Sequence, residues 1–247
     1  MEQDSKEISL SLKHVSKTFK VSKKSSYTIK DMLFNLHKKK QVKRLEALKN
    51  ISLDIYKGES IGLIGRNGSG KSTLTKIMSG AYVPDKGGEV IKNGTSLLLN
   101  LGVGFSHELT ARENIYVNGS TLGLRIKKID TIFQDIIEFA ELEEFVDTKI
   151  KYYSTGMIQR LAFSIAVYAN ADIIFLDEVF AVGDEKFKKK SEIVLEESWI
   201  KGRTVIIVSH SSGLIEQYCK KTILMHKGEM LFYGDTKEAI ERYRAIE

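Results

Sequence analysis

The chain has 247 residues, 42% of them hydrophobic and 28% charged, with a formal net charge of +6, an ordinary balance for a soluble globular protein of one large or two small domains. A single cysteine, Cys219, excludes an intramolecular disulfide and fits a reducing cytoplasm. The polar start at residues 1–7 gives no expectation of a signal peptide, and apolar runs such as IIFL and TVIIV fall far short of the ~20 residues of a membrane span.

In chain order, residues 8–15 alternate as a strand, with Leu10 and Leu12 on one side and Ser9 and Ser11 on the other. An irregular basic stretch follows. From 27 to 45 the pattern is helical: Ile29, Met32, Leu33 and Leu36 fall at i, i+3, i+4 and i+7, ahead of Lys38, Lys39, Lys40, Lys43 and Arg44. This basic region fits nucleic acid, an acidic membrane surface or a solvated face, and charge alone does not choose among them. Residues 51–55 and 60–64 read as strands and 71–79 as a helix. The stretch 89–101 is strand-like around a turn at Asn93 and Gly94.

From 109 to 145 the pattern is mainly helical, with its clearest apolar face on Ile132, Phe133, Ile136, Ile137 and Ala140. Ser154 opens another helix. Then come a strand at 173–176, a helix around 186–199, a strand at 204–208, strands near 221–225 and 230–233, and a short final helix. Strands alternating with helices predict an α/β fold with a mainly parallel sheet core and helices on its faces. The helices of about 106–168 form an inserted helical subdomain in this reading.

GRNGSGKS at 65–72 matches G-x-x-x-x-G-K-[ST] between a strand and a helix, the context that a P-loop NTPase requires. Gly65, Gly68 and Gly70 let the backbone curl, so that N–H groups of Arg66, Asn67 and Ser69 can converge on a phosphate. Lys71 reaches the β- and γ-phosphates, Ser72 offers its hydroxyl to Mg²⁺, and Thr73 continues the helix start. The apolar strand IIFLDE ends in Asp177, suited to Mg²⁺, and Glu178, suited to polarising the attacking water. The strand TVIIVSH ends at His210, which could orient the same water. Singly, an acid pair or a histidine after a strand is more often structural. Three strands ending in GKS, DE and SH point together to ATP hydrolysis, since ligands of parallel sheets gather at the strands' carboxyl ends.

With the order GRNGSGKS, YSTGM, IIFLDE, AVGD and SH in view, the chain resembles the ATP-binding subunit of ABC transporters over nearly its whole length. The resemblance implies a single ABC ATPase domain over 1–247 with N-terminal antiparallel β elements, ATP and Mg²⁺ as ligands, and a head-to-tail dimer with a second copy. Tyr153, Ser154, Thr155, Gly156 and Met157 stand where the family has its signature loop, usually LSGGQ, which meets the γ-phosphate held by the other copy. The small residues that open this helix are then both a cap and a phosphate contact. Asp184 closes the D-loop position, and the adenine ring would stack on Phe19 or, less favourably, Tyr27.

The departures from the common pattern are specific: YSTGM for LSGGQ, AVGD for SALD, and LGVGFSHELTARENI at 101–115 without the usual glutamine, where His107 or Glu108 could take part of its role. They resemble the branch that exports O-antigen, teichoic acid and capsule, and the 27–45 segment resembles an extra helix of the O-antigen and teichoic-acid exporters. This implies two copies of a membrane-spanning permease as partners, a lipid-linked polysaccharide substrate and a peripheral place on the cytoplasmic face of the inner membrane. Nucleic acid is not expected as a partner. A C-terminal carbohydrate-recognition domain is not expected either, because the last sheet strands lie close to residue 247. The alternatives are a capsule exporter, a soluble ABC ATPase acting on nucleic acid or ribosomes, and a regulatory switch without turnover, which the presence of Glu178 and His210 disfavours.

Overall fold

The computed structural model describes residues 7–22, 42–99, 104–177 and 184–246. Two sheets share its core. The first, in strand order β2-β1-β4, joins β1 (Ile8–Ser22), β2 (Val42–Tyr56) and β4 (Glu89–Lys92), all antiparallel. The second has the order β5-β6-β7-β3-β8-β9, from β5 (Ser96–Leu99), β6 (Ile173–Asp177), β7 (Thr204–Val208), β3 (Ser60–Ile64), β8 (Lys221–His226) and β9 (Glu229–Asp235). Its neighbours are parallel except for the β8–β9 hairpin. The unbroken apolar runs of β6 and β7 are buried along their length, as strands covered on both faces require.

The expected strand at 8–15 runs on to Ser22, through the stretch expected to be irregular. Its charged residues are carried by the pairing with β2, in which Leu12 faces Leu53, Val15 faces Ile51 and Phe19 faces Leu45. Register shifts on either side of Val15, next to His14 at φ 52°, bend the long ribbon. The expected helix at 27–45 fails at its end: residues 42–45 belong to β2, and the rest lies outside the described residues. Lys43 and Arg44 are therefore strand neighbours aimed at opposite faces, not part of a basic helical tail. Asn93 and Gly94 do turn the chain, but between two sheets rather than within a hairpin.

The helices are α1 (Lys71–Ser79), α2 (Ala111–Thr121), α3 (Ile126–Ala140), α4 (Thr155–Ala166), α5 (Glu185–Val194), α6 (Ser212–Tyr218) and α7 (Thr236–Ile246). A π turn, Leu195–Ile200, continues α5. The seven-residue α6 is too short to show a period in sequence. One core cluster sits between the two sheets and α1, with Leu10, Leu63, Leu74 and Phe175. A second lies on the other face of the large sheet, with Phe163, Phe187, Trp199 and Ile207. The third joins α2, α3 and α4 through Ile115, Ile129, Ile136 and Leu161.

Candidate nucleotide site

The loop after β3 folds around its glycines. Gly65, Gly68 and Gly70 have φ of 147°, 79° and 108°, values that an L side chain rarely adopts. A Cβ on Gly65 would strike the Met225 carbonyl, and one on Gly70 would stand 2.7 Å from the Ala47 carbonyl. Gly70 is also the N-cap of α1, and it has no side chain to bond the open N–H groups of the first turn. Lys71 is only 8% exposed; its ammonium donates to the carbonyls of Gly65 at 2.5 Å and Arg66 at 3.2 Å. Ser69 Oγ is buried in the loop with no hydrogen-bond partner among the described residues. An uncapped helix start, a buried cation and an orphaned hydroxyl make a cradle suited to phosphate.

Three strands end at this cradle because β7 lies between β6 and β3 and all three run parallel. The carboxyl ends of β6 and β7 bring Asp177 and His210 to a cavity of about 660 Å³ that Lys71, Ser72 and Thr73 also line. Asn67 and Gly68 share that lining, while Arg66 is exposed beside it. Phe19, which meets Tyr82 edge to face at 5.8 Å, and Leu45 across the ribbon, 53% exposed, also line the cavity. Ser72 and Asp177 could hold a Mg²⁺ ion there. Two protein oxygens suit that ion when phosphate oxygens and water complete its shell.

Sequence reasoning missed Lys227, Gly228 and the 46–49 segment of the cavity wall. Gly228 N–H donates to the Ser69 carbonyl at 2.9 Å, and Lys49 N–H donates to the Gly228 carbonyl at 2.8 Å. Lys227, at φ 46°, and Gly228, at φ 84°, form the tight β8–β9 turn. The glycine between two strands was the available signal.

The structure does not bring the YSTGM residues to this cavity within one chain. Ser154 caps α4, its Oγ accepting from Met157 N–H at 3.2 Å, and is exposed with Thr155. Gly156 and Met157 are half-buried. Tyr153 corrects the expectation of a surface contact, because its ring is 8% exposed and its hydroxyl donates to the Phe145 carbonyl at 2.6 Å. Burial pushes its pKa up to about 12. Tyr153 is thus core packing of the helical cluster, and the neighbour at the surface is Tyr152, 72% exposed.

Asp184 caps α5, its Oδ1 accepting from Phe187 N–H at 2.9 Å. Glu178, residues 181–183 and Tyr27 lie outside the described residues. Near the missing glutamine, His107 and Glu108 are exposed, and Lys151 and Lys149 hydrogen-bond Glu108 and hold its carboxyl below the usual range. The loop is fastened by buried Asn114, whose Oδ1 accepts from Ser106 N–H at 2.8 Å and whose amide donates to the Ser106 carbonyl at 3.1 Å.

Residues 48–181 match the ABC transporter family. The chain is 40% identical over 238 residues to the "Teichoic acids export ATP-binding protein TagH" of Listeria innocua, spanning 96% of this chain and 70% of that protein. It is 41% identical over 200 residues to the "O-antigen export system ATP-binding protein RfbB" of Myxococcus xanthus, over 81% of this chain and 46% of that one. Its fold superposes on the dimeric structure of MJ0796, a bacterial ABC transporter cassette, with a TM-score of 0.69 and 25% identity, over 92% of this chain and 98% of that chain. The chain belongs to the ABC transporter family, and it is an ATP-binding ABC ATPase. Among its described residues no helix is long and apolar enough to cross a membrane.

Proposed function

We propose that this protein is the ATP-hydrolysing subunit that powers export of a lipid-linked surface polysaccharide, O-antigen or wall teichoic acid, through a separate permease. The observation that carries this reading is the 40% identity to a teichoic-acid export subunit along 96% of the chain. The cavity supports the ATPase half. Lys71 and the N–H groups at the start of α1 bind the β- and γ-phosphates and Phe19 stacks on adenine; Ser72 with Asp177 would hold Mg²⁺, which would neutralise charge on the transferring phosphate. Water attacks the γ-phosphorus as the bond to the β–γ bridging oxygen breaks. Glu178 takes the water's proton, His210 orients that water, and ADP leaves with the bridging oxygen.

Two copies meet head to tail in this reading, so that Ser154 of one, aided by Asp184, completes the site of the other. The pair works against two permease copies on the cytoplasmic face of the inner membrane, with the helices of about 106–168 as the arm that moves them. Glu178→Gln should keep ATP binding and lower steady-state hydrolysis about a hundredfold or more; near wild-type turnover would remove Glu178 from the mechanism. Cells carrying Lys71→Ala should lose the glycan from their surface and retain its lipid-linked form inside. Normal surface glycan at equal protein level would overturn export and leave the ATPase assignment standing.

A further inference from the structure

The carboxyl end of α3 closes in a crossed pattern: Leu142 N–H donates to the Ile137 carbonyl and Glu141 N–H to that of Glu138, both at 3.2 Å. This closure requires a left-handed residue, where glycine or asparagine is the usual occupant. The chain has Glu141 there, at φ 57° and ψ 51°. Its carboxylate reaches two other helices. Oε2 accepts from Arg160 of α4 at 3.3 Å, and Oε1 accepts from Lys186 of α5 at 3.2 Å. One turn along α5, Lys190 donates to the Phe139 carbonyl at 3.0 Å, with its ammonium 4.2 Å from the Phe139 ring centre. Cations from two helices thus grip the end of α3 where the helix is partially negative. Beneath them, Phe139, Phe163 and Phe187 meet at centroid distances of 5.5 to 6.1 Å.

Both gripped helices begin at residues used by the proposed mechanism, α4 after Ser154 and α5 after Asp184. Arg160 lies six positions beyond Ser154, about 9 Å along the axis, and Lys186 two beyond Asp184. We propose that Glu141 is a positioning residue that locks α4 to α5, so that Ser154 and Asp184 meet the nucleotide of a second copy as one rigid unit. The inference rests on the composite-site reading given above. Arg160, 17% exposed, is the firm limb. Lys186, 82% exposed, adds little alone, but one carboxylate shared by both helices cannot follow one without releasing the other.

Glu141→Gly separates this role from plain stabilisation, because it relieves the left-handed backbone while deleting the carboxylate. Its Tm should be equal or higher and ATP affinity of the single chain unchanged. Hydrolysis at saturating ATP should fall about ten- to a hundredfold, as expected when reacting groups are misplaced. Glu141→Asn, which also tolerates this backbone, should behave alike. Wild-type hydrolysis in both, or an affinity that falls in step with the rate, overturns the proposal. So does a lowered Tm with wild-type hydrolysis well below the transition, since the ion pairs are then only stabilising. Ser154→Arg tests the underlying reading: if it hydrolyses normally, the composite site and this role fall together. If it is inactive while Glu141→Gly is active, only the role of Glu141 fails.

Discussion

Two helices of this molecule begin in opposite ways. At α1 the N-cap is Gly70, which offers no side chain to the first turn, and the next residue is a buried lysine. At α4 the N-cap is Ser154, whose hydroxyl already satisfies Met157 N–H. The first start has no cap of its own. At the second only Met157 N–H is taken up by the cap, and the exposed Ser154 O–H can still donate to an anion. In the proposed composite site, the α1 start holds the nucleotide and the Ser154 end of α4 meets it only when two copies close. That asymmetry suits a cycle in which two copies close and separate while ATP stays on one of them.

The sharpest way to break this contrast is to close the open start. Gly70→Ser should abolish measurable ATP binding, because its Cβ would press on the Ala47 carbonyl at 2.7 Å in a backbone with φ 108°; titration with a fluorescent ATP analogue checks it. Lys71→Ala leaves the cradle's backbone intact and removes its cation, so ATP affinity should fall about ten- to a hundredfold, read by calorimetry at matched Mg²⁺. Phe19→Ala should weaken ATP about tenfold if the ring stacks on adenine, while triphosphate binding is unchanged, as competition assays would show. At α4, Ser154→Ala should cost about 1 kcal/mol of stability and Ser154→Gly only a few tenths, measured by denaturant unfolding. Both should lose hydrolysis alike, since both lack the hydroxyl. Equal hydrolysis in Ser154→Gly and wild type would make that serine a cap only.

What sequence revealed and what it hid divide along the same line. The P-loop, Asp177 and His210 were legible because each ends a short buried strand, and parallel pairing then fixes their meeting place. Phe19 lines the cavity, and β1 extends further than its alternation suggested, since charged residues on a paired ribbon mask the period of two. Residues 42–45 were misread as helix because Val42 and Leu45 also fit a helical spacing, and only the partner strand decides between the two. Tyr153 could not be told from its neighbour Tyr152 by sequence, yet one is buried and the other exposed. The glycine at 228 marked a turn, but its place in the cavity wall depends on a hydrogen bond to Ser69 across the fold, which sequence does not show.

The chain holds one tryptophan, Trp199. It is fully buried in the π turn, 5.3 Å from the Phe163 ring of α4, and its indole N–H has no hydrogen-bond partner among the described residues. The protein thus carries its own fluorophore at the seam between the helical cluster and the sheet. Its emission comes from a dry, aromatic setting, so water or a new acceptor admitted by a shift of α4 would move the spectrum to longer wavelength. Stopped-flow emission with ATP would follow that shift in the native chain without any attached dye.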